Sequence, residues 1–404
     1  MKIKNEKLVS ILFNLIIILT YFIAFDRFIN VAHIIIAFIC FLVLVSLKGK
    51  LYKFSFYKSD YLFVFFAIYC IVSSILMNSV DGVKYSVYLI SAIVLAFCVR
   101  NYNKDDIKIF PIIVIMSTIF SIVTIIFNFL PALKNSIYFM IYSYPKAVEL
   151  SQLKGIAGLA GQTGLNAFYI GIGIITLFVG LINNRKVKSK SPVLNFALLL
   201  INCIAFMLTQ KRGPLIFLVL AIIYIYLFVK NREKRNVLSS LFNIVKVLII
   251  ILIIYGICSI IMPDTINVFT RFINQTDITN GRGKLYNLAI SLYKQHKILG
   301  IGINNFPNYA MATFGTKIAA HNVLLQILCE TGIFITIYFV FTVITNLKYG
   351  IKNAKKIGTN EIYAALGIHV FFILYGFTGN SFYDFSTLII YFLILYYKSK
   401  EISK

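Results

Sequence analysis

Long apolar runs recur from one end of this chain to the other. Many reach about 18 residues or more, enough to cross a hydrocarbon layer of about 30 Å as a helix. In lipid, backbone amides and carbonyls have no water to bond with, so each such run must satisfy its own polar groups as a helix. A membrane β-barrel would instead show short alternating segments, and none is visible. The composition agrees: 60% of the 404 residues are hydrophobic and 13% are charged. The fold class is therefore all-α, a polytopic membrane protein in which residues 1–404 form a single integral membrane domain. The runs place about twelve transmembrane helices near 8–25, 30–47, 61–77, 84–99, 109–130, 164–182, 193–209, 214–229, 241–261, 322–346, 361–379 and 384–397. The last is short enough to be tilted or partly re-entrant. The first follows Met1-Lys2-Ile3-Lys4, but it is too long for a signal peptide and no small-residue cleavage site follows. It is read as a retained first helix.

Lys and Arg number 39 against 14 Asp and Glu, a net charge of +25. In a soluble protein this would point to nucleic acid. Here the cations lie in short connections, where they set topology, and no nucleic-acid partner is expected. They crowd alternate connections: Lys2, Lys4, Lys7; Lys48 to Lys58; Arg100, Lys104, Lys108; Arg185 to Lys190; Lys230 to Arg235; Lys348 to Lys356; and the C-terminal lysines. The bias puts both termini in the cytoplasm and the segment 262–321, between predicted helices nine and ten, outside it. The six cysteines all fall inside apolar runs with no paired spacing, so they read as small hydrophobes.

That long polar segment carries Thr270-Arg271-Phe272, Asn280-Gly281-Arg282-Gly283-Lys284-Leu285, Gly300-Ile301-Gly302-Ile303-Asn304-Asn305-Phe306 and Ala320-His321-Asn322. Leu285, Leu288, Ala289 and Leu292 fall on one helical face, which predicts an amphipathic helix capped by Thr279 or Asn280. Its first turn, with Arg282, would aim amide donors at an anion. On the same side, Lys211-Arg212-Gly213-Pro214 interrupts two apolar runs. Two readings compete: a snorkelling pair at a helix end, or a diphosphate clamp using the planar donor fork of arginine. Snorkelling leaves unexplained why both cations sit on the disfavoured side. Asn322, Gln326 and Glu330 continue from His321 at four-residue spacing, a polar helix face running into the bilayer. Such residues are costly in lipid and point to a substrate contact, while His321 can accept a proton near neutral pH. His33, His296 and His369 read as structural. Residues 131–163 read as a loop with Pro131 and Pro145, then a Gly-rich piece from Lys154 to Gly164 and Asn166, where Lys154 is a further candidate substrate contact.

No P-loop, dinucleotide fingerprint, HExxH, CxxC or outer Asp-x-Asp pair occurs. The outer acidic residues read as Asp264, Asp277 and Glu149, too few for a divalent cation. No metal and no cofactor are expected. No repeated halves are visible, which disfavours a transporter or flippase of lipid-linked sugars, the reading from another class.

The ordered motifs resemble the O-antigen polymerase and O-antigen ligase superfamily of bacterial membrane glycosyltransferases. They are Thr209-Gln210-Lys211-Arg212-Gly213, Gly281-Arg282 heading an amphipathic helix, Lys297 to Phe306, and Ala320-His321-Asn322 with Glu330-Thr331-Gly332. The likeness covers about 154–335. It implies metal-free, inverting transfer of glycans from undecaprenyl diphosphate at the outer face of the inner membrane. It also implies essential roles for Arg212, Arg282 and His321: the arginines, with Lys211, are expected to neutralise the leaving diphosphate, and His321 to orient or deprotonate the attacking hydroxyl. Lys211, Lys154, Asn322, Gln326 and Glu330 are expected around the substrate. The chain departs from the family pattern in having Tyr286 after the Gly-Arg piece and no Trp, which touches local packing. The expected function is O-antigen or capsular polysaccharide polymerase, with O-antigen ligase, which transfers glycan to lipid A-core, as the alternative within the family. The bilayer, a chain-length regulator and other polysaccharide assembly proteins are the further partners this reading implies.

Overall fold

A computed structural model describes residues 2–27, 30–49, 58–102, 107–183, 192–232 and 281–395, with the single residues 256 and 397. Among the described residues the secondary structure is helical. In chain order the helices are α1 (Lys2–Thr20), α2 (Val31–Gly49), α3 (Lys58–Leu76), α4 (Val80–Asn101), α5 (Ile109–Phe129), α6 (Pro131–Ile141), α7 (Tyr144–Gln152), α8 (Thr163–Ile182), α9 (Pro192–Leu208), α10 (Arg212–Arg232), α11 (Gly283–Gln295), α12 (Phe306–Phe314), α13 (Val323–Lys356), α14 (Asn360–Tyr375) and α15 (Phe385–Leu395). By length and composition, α4, α5, α8, α10 and α13 are each able to cross a membrane. The other long apolar runs of the sequence coincide with α1, α2, α3, α9, α14 and α15. The run at 241–261 lies outside the described residues, as do Thr270-Arg271-Phe272, Asp264 and Asp277.

The most buried of the spanning helices is α8. It packs against α5, α9, α10 and α14. Close approach needs small residues: a Cβ at Gly173 of α8 would overlap Ser117 of α5, and one at Gly171 would meet the ring of Phe371 on α14. Polar side chains add directional links inside this apolar core. Asn202 donates to the Leu198 carbonyl and accepts from Ser121. Asn166 donates to Thr124 Oγ1 and to the Ile156 carbonyl. Each such bond replaces an unsatisfied group in hydrocarbon and contributes about 1 kcal/mol.

Two local expectations are corrected, and one further helix appears. Residues 131–163 are not an open loop: they form α6, α7 and a single 3₁₀ turn at Gly158–Ala160. Pro131 and Pro145 each sit in a first turn, where the missing N–H is not needed. Tyr138, Tyr142, Ala147 and Leu150 then bury against Phe127, so apolar packing fixes the segment. The amphipathic helix exists as α11, but Arg282 holds its capping position; Thr279 and Asn280 lie outside the described residues. A short helix, α12, follows Asn305, with Pro307 in its first turn and Gly315 ending it in the left-handed region. Its apolar spacing is too brief to stand out in the sequence.

Near the opposite end of the bundle from α12, Asp60 at the start of α3 faces Arg100 at the end of α4. The pair is bidentate, at 2.7 and 2.6 Å, with side chains only 3% and 2% exposed. Removing one partner of such a pair strands a buried charge and costs about 3–5 kcal/mol, whereas replacing both by apolar residues is tolerated far better. Asp60→Ala should therefore lower the detergent unfolding midpoint sharply, and Asp60→Leu with Arg100→Met should recover most of the loss. Equal losses in the single and double variants would contradict this assignment.

Candidate active site

Where α7, α8, α10, α13, α14 and α15 begin or end at one side of the bundle, a cavity of about 1050 Å³ opens. Segments far apart in the chain form its wall. The α9–α10 turn brings Lys211 and Arg212, the start of α11 brings Arg282, and the approach to α13 brings Lys317 and His321. The α14–α15 turn supplies Thr378, Asn380, Tyr383 and Asp384, and α7 supplies Lys146 and Glu149.

Local chemistry explains each placement. Helix α9 stops when Thr209 and Gln210 turn back to bond the carbonyls of Phe206 and Met207. Gln210 takes a left-handed φ of 53°, which reverses the chain within one residue. Helix α10 then starts at Arg212 with Pro214 in its first turn. Gly213 lies so close to Thr378 that a Cβ would overlap it, so the turn presses against the α14–α15 connection. Arg282 donates from Nη1 to the Thr378 carbonyl at 2.9 Å, which ties the head of α11 to that same connection. This uses one of the five N–H donors of its guanidinium.

His321 also has a left-handed φ, 54°, at the point where the chain turns into α13. Burial, and then the charges of Arg282 and Lys211, push its pKa down to about 4. The ring is therefore neutral at pH 7. Asp384 sits just ahead of α15, and its carbonyl accepts from Thr387 Oγ1 and Leu388 N. Burial pushes its carboxyl up to about 7. One cavity thus holds a cluster of cations around a neutral imidazole, and a carboxyl able to exchange a proton near neutral pH.

The remaining predicted contacts divide. Gln326 borders the cavity, but its Oε1 accepts from Ala320 N and its Nε2 donates to Glu330. Asn322 spends its side chain capping α13 by accepting from Leu325 N at 3.1 Å. Glu330 is fully buried and turned into the protein, where it accepts from Asn304 N, Phe306 N, Gln326 and Tyr383. Lys154 stands outside the cavity wall. The Gly-rich piece after it instead hugs the end of α9: Ile156 N bonds the Leu208 carbonyl, and a Cβ at Gly155 would overlap Thr209. The polar stripe on α13 is a bonding network because a helix face this deep has protein, not ligand, opposite most of it.

Sequence reasoning passed over Asp384, Tyr383 and Lys146. Its inventory of outer carboxylates also missed Asp26 and Asp81. Asp26 accepts from Ser143 N and lies 3.7 Å from Lys146 Nζ, and Asp81 takes Lys317 at 2.8 Å. A usable signal was present: Asn380-Ser381-Phe382-Tyr383-Asp384 is a polar break between two apolar runs, on the side that the charge bias assigns to His321.

Residues 196–340 match the family described as O-antigen ligase. The segment spans α9 to the middle of α13, and includes Lys211, Arg212, Arg282 and His321. The match agrees with the resemblance to the O-antigen polymerase and ligase superfamily and with a multi-pass membrane enzyme. No curated protein matches the chain.

An anion held by Lys211 and Arg282 would cancel the charges that add to burial in keeping His321 unprotonated. Inorganic diphosphate should therefore raise the His321 pKa from about 4 toward the ordinary histidine value. Arg282→Ala should raise it in the absence of ligand, by removing one of the two neighbouring charges. Histidine-selective NMR titration in detergent reads both. An imidazole that titrates at its ordinary value in the empty wild-type protein would contradict the electrostatic description.

Proposed function

We propose that the protein is a polysaccharide polymerase of the bacterial inner membrane, with both termini in the cytoplasm and the cavity facing outward. Its donor is a glycan on undecaprenyl diphosphate. Its acceptor is the non-reducing end of a second lipid-linked repeat unit. What carries this reading is the meeting of Lys211, Arg212, Arg282 and His321 with Asp384 in one cavity.

The chemistry follows from where charge develops. As the bond from the anomeric carbon to the diphosphate oxygen breaks, negative charge grows on the leaving group. Arg282, Arg212 and Lys211 neutralise it without reorganisation, which is electrostatic stabilisation of the transition state. His321 belongs on this leaving-group side. A ring whose conjugate acid is disfavoured by burial and by two nearby cations is a poor base for the acceptor; as a neutral imidazole it donates its one ring N–H to a phosphate oxygen. The base is Asp384: its carboxylate takes the proton of the acceptor hydroxyl as that oxygen bonds the anomeric carbon from the opposite face. The balance is one C–O bond formed, one broken, inversion at carbon, and one proton transferred to the carboxylate.

The ligase reading, with lipid A-core as acceptor, draws support from the description of the matched family. Gene deletion separates the two: loss of a polymerase leaves core capped by a single repeat, whereas loss of a ligase leaves core bare and glycan stranded on its carrier.

Purified protein should extend lipid-linked repeats in detergent without a second compartment, which a flippase does not do. Arg212→Ala and Arg282→Ala should each insert normally and lower turnover by about 100-fold or more. Near-normal chain-length ladders in both would end this assignment. Because Asp384 must lose its proton to act, the rate should rise as pH climbs through about 7. Asp384→Asn should abolish that limb together with the activity. An unchanged pH profile in Asp384→Asn would remove the carboxylate from the mechanism.

A further inference from the structure

The one titratable group of the α13 polar stripe lies behind the cavity wall, and its bonding joins two parts of that wall. Glu330 Oε1 accepts from Phe306 N at 3.0 Å and from Gln326 Nε2 at 3.0 Å. Its Oε2 accepts from Asn304 N at 2.8 Å and from the Tyr383 hydroxyl at 2.6 Å. Gln326 in turn takes Ala320 N on its Oε1 at 3.0 Å. A continuous path therefore runs from Ala320, the residue before His321, through Gln326 and Glu330 to Tyr383, the residue before Asp384.

The surroundings make this path rigid. Helix α13 is broken at Gly332, whose φ of 74° suits glycine. At the break, Ile301 N, Gly302 N and Ile333 N bond Cys329 O, Glu330 O and Lys297 O, so segment 297–302 is laced to the kink. A Cβ at Gly300 would overlap the Glu330 backbone, and one at Gly332 would overlap the Ile298 carbonyl. Tyr69 adds its hydroxyl to the Leu299 and Thr331 carbonyls. The ring of Tyr383 rests against Tyr85 with centroids 5.2 Å apart. A carboxylate at this depth is costly unless its oxygens are fully bonded, and four donors meet that need. A glutamate whose only task was to cap backbone amides would not require the two side-chain partners that lead to the cavity.

We propose that Glu330 is a positioning residue: through Gln326 and Tyr383 it holds the His321 turn and the Asp384 turn at one spacing, so that leaving-group and acceptor chemistry face a single bound donor. The inference rests on the glycosyl-transfer reading above. It predicts a division of effects. The cations that grip the diphosphate are placed by the α9–α10 turn and the Arg282–Thr378 bond, at the far end of the α14–α15 connection from Tyr383, so donor affinity depends on Glu330 much less than turnover does. Turnover depends on it because a misplacement of about 1 Å between reacting groups costs about 100-fold.

The test uses the full chain in detergent with a short lipid-linked glycan as donor and undecaprenyl diphosphate as binding probe. In Glu330→Gln an N–H₂ group faces N–H donors, so two of the four bonds are lost. Its kcat should fall about 100-fold while KM for the donor and Kd for the probe stay within about threefold. Tyr383→Phe removes a single hydroxyl and is the milder variant should Glu330→Gln fold poorly. Its kcat should fall about 10-fold, and the acidic limb of its pH profile should move to lower pH as Asp384 gains solvent. Unchanged kcat in Tyr383→Phe, or donor affinity lost in step with turnover, overturns the proposal. A third readout needs no catalysis. The His321 titration should shift upward from about 4 in Glu330→Gln as its turn loosens, and an unmoved titration overturns the proposal as well. Absence of transfer by wild-type protein would instead count against the glycosyltransferase reading, with the titration still deciding the role of Glu330.

Discussion

A helix that ends in or near a bilayer leaves its first amides and last carbonyls without partners, and lipid supplies none. In this protein the breaks in the helices that carry chemistry are gathered around one cavity, where side chains and neighbouring turns supply the missing bonds. The Thr378 carbonyl, just past the end of α14, takes the Arg282 guanidinium. The Gly376 carbonyl takes Val323 N at the start of α13. The same need that closes off the helix ends thus places cations and acids side by side.

Those placements carry an electrostatic cost that shapes the chemistry. Loss of solvation, and then two nearby cations, lower the pKa of the half-buried His321 imidazole, and loss of solvation raises the Asp384 carboxyl to about 7. In water both groups would titrate near their usual values, which would leave the carboxyl ionised at pH 7 and the imidazole in ready exchange with its protonated form. An anionic ligand relieves the cations' share of the imidazole shift and leaves the carboxyl shift in place. The cavity wall therefore combines cations with a carboxyl, the combination that the proposed displacement of a diphosphate by a hydroxyl asks for.

The stripe Asn322, Gln326, Glu330 shows how one pattern serves two ends. Four-residue spacing puts these side chains on a single helix face, and from spacing alone they read as ligand contacts. Packed against segment 297–306, they cap, bridge and lace instead. Lys154 fails for a related reason: the glycines after it bring backbone to backbone, against the end of α9, and the lysine stays outside the cavity. In contrast, Lys211, Arg212, Arg282 and His321 come together as residues at helix termini do when the helices they begin or precede open on one side.

The sequence by itself determined the helical class, the extents of most apolar helices and the amphipathic character of α11, because hydrophobic run length and periodicity are local quantities. It also singled out the cations and the histidine, since charge between apolar runs stands out wherever it occurs. Tertiary structure alone decided that α7 walls the cavity, that Glu330 faces inward, and that Asp384 lies in the same cavity as His321. Each of these depends on contacts between segments tens to hundreds of residues apart. Hydrogen-bond partners and burial are properties of the packed assembly, so no local pattern encodes them.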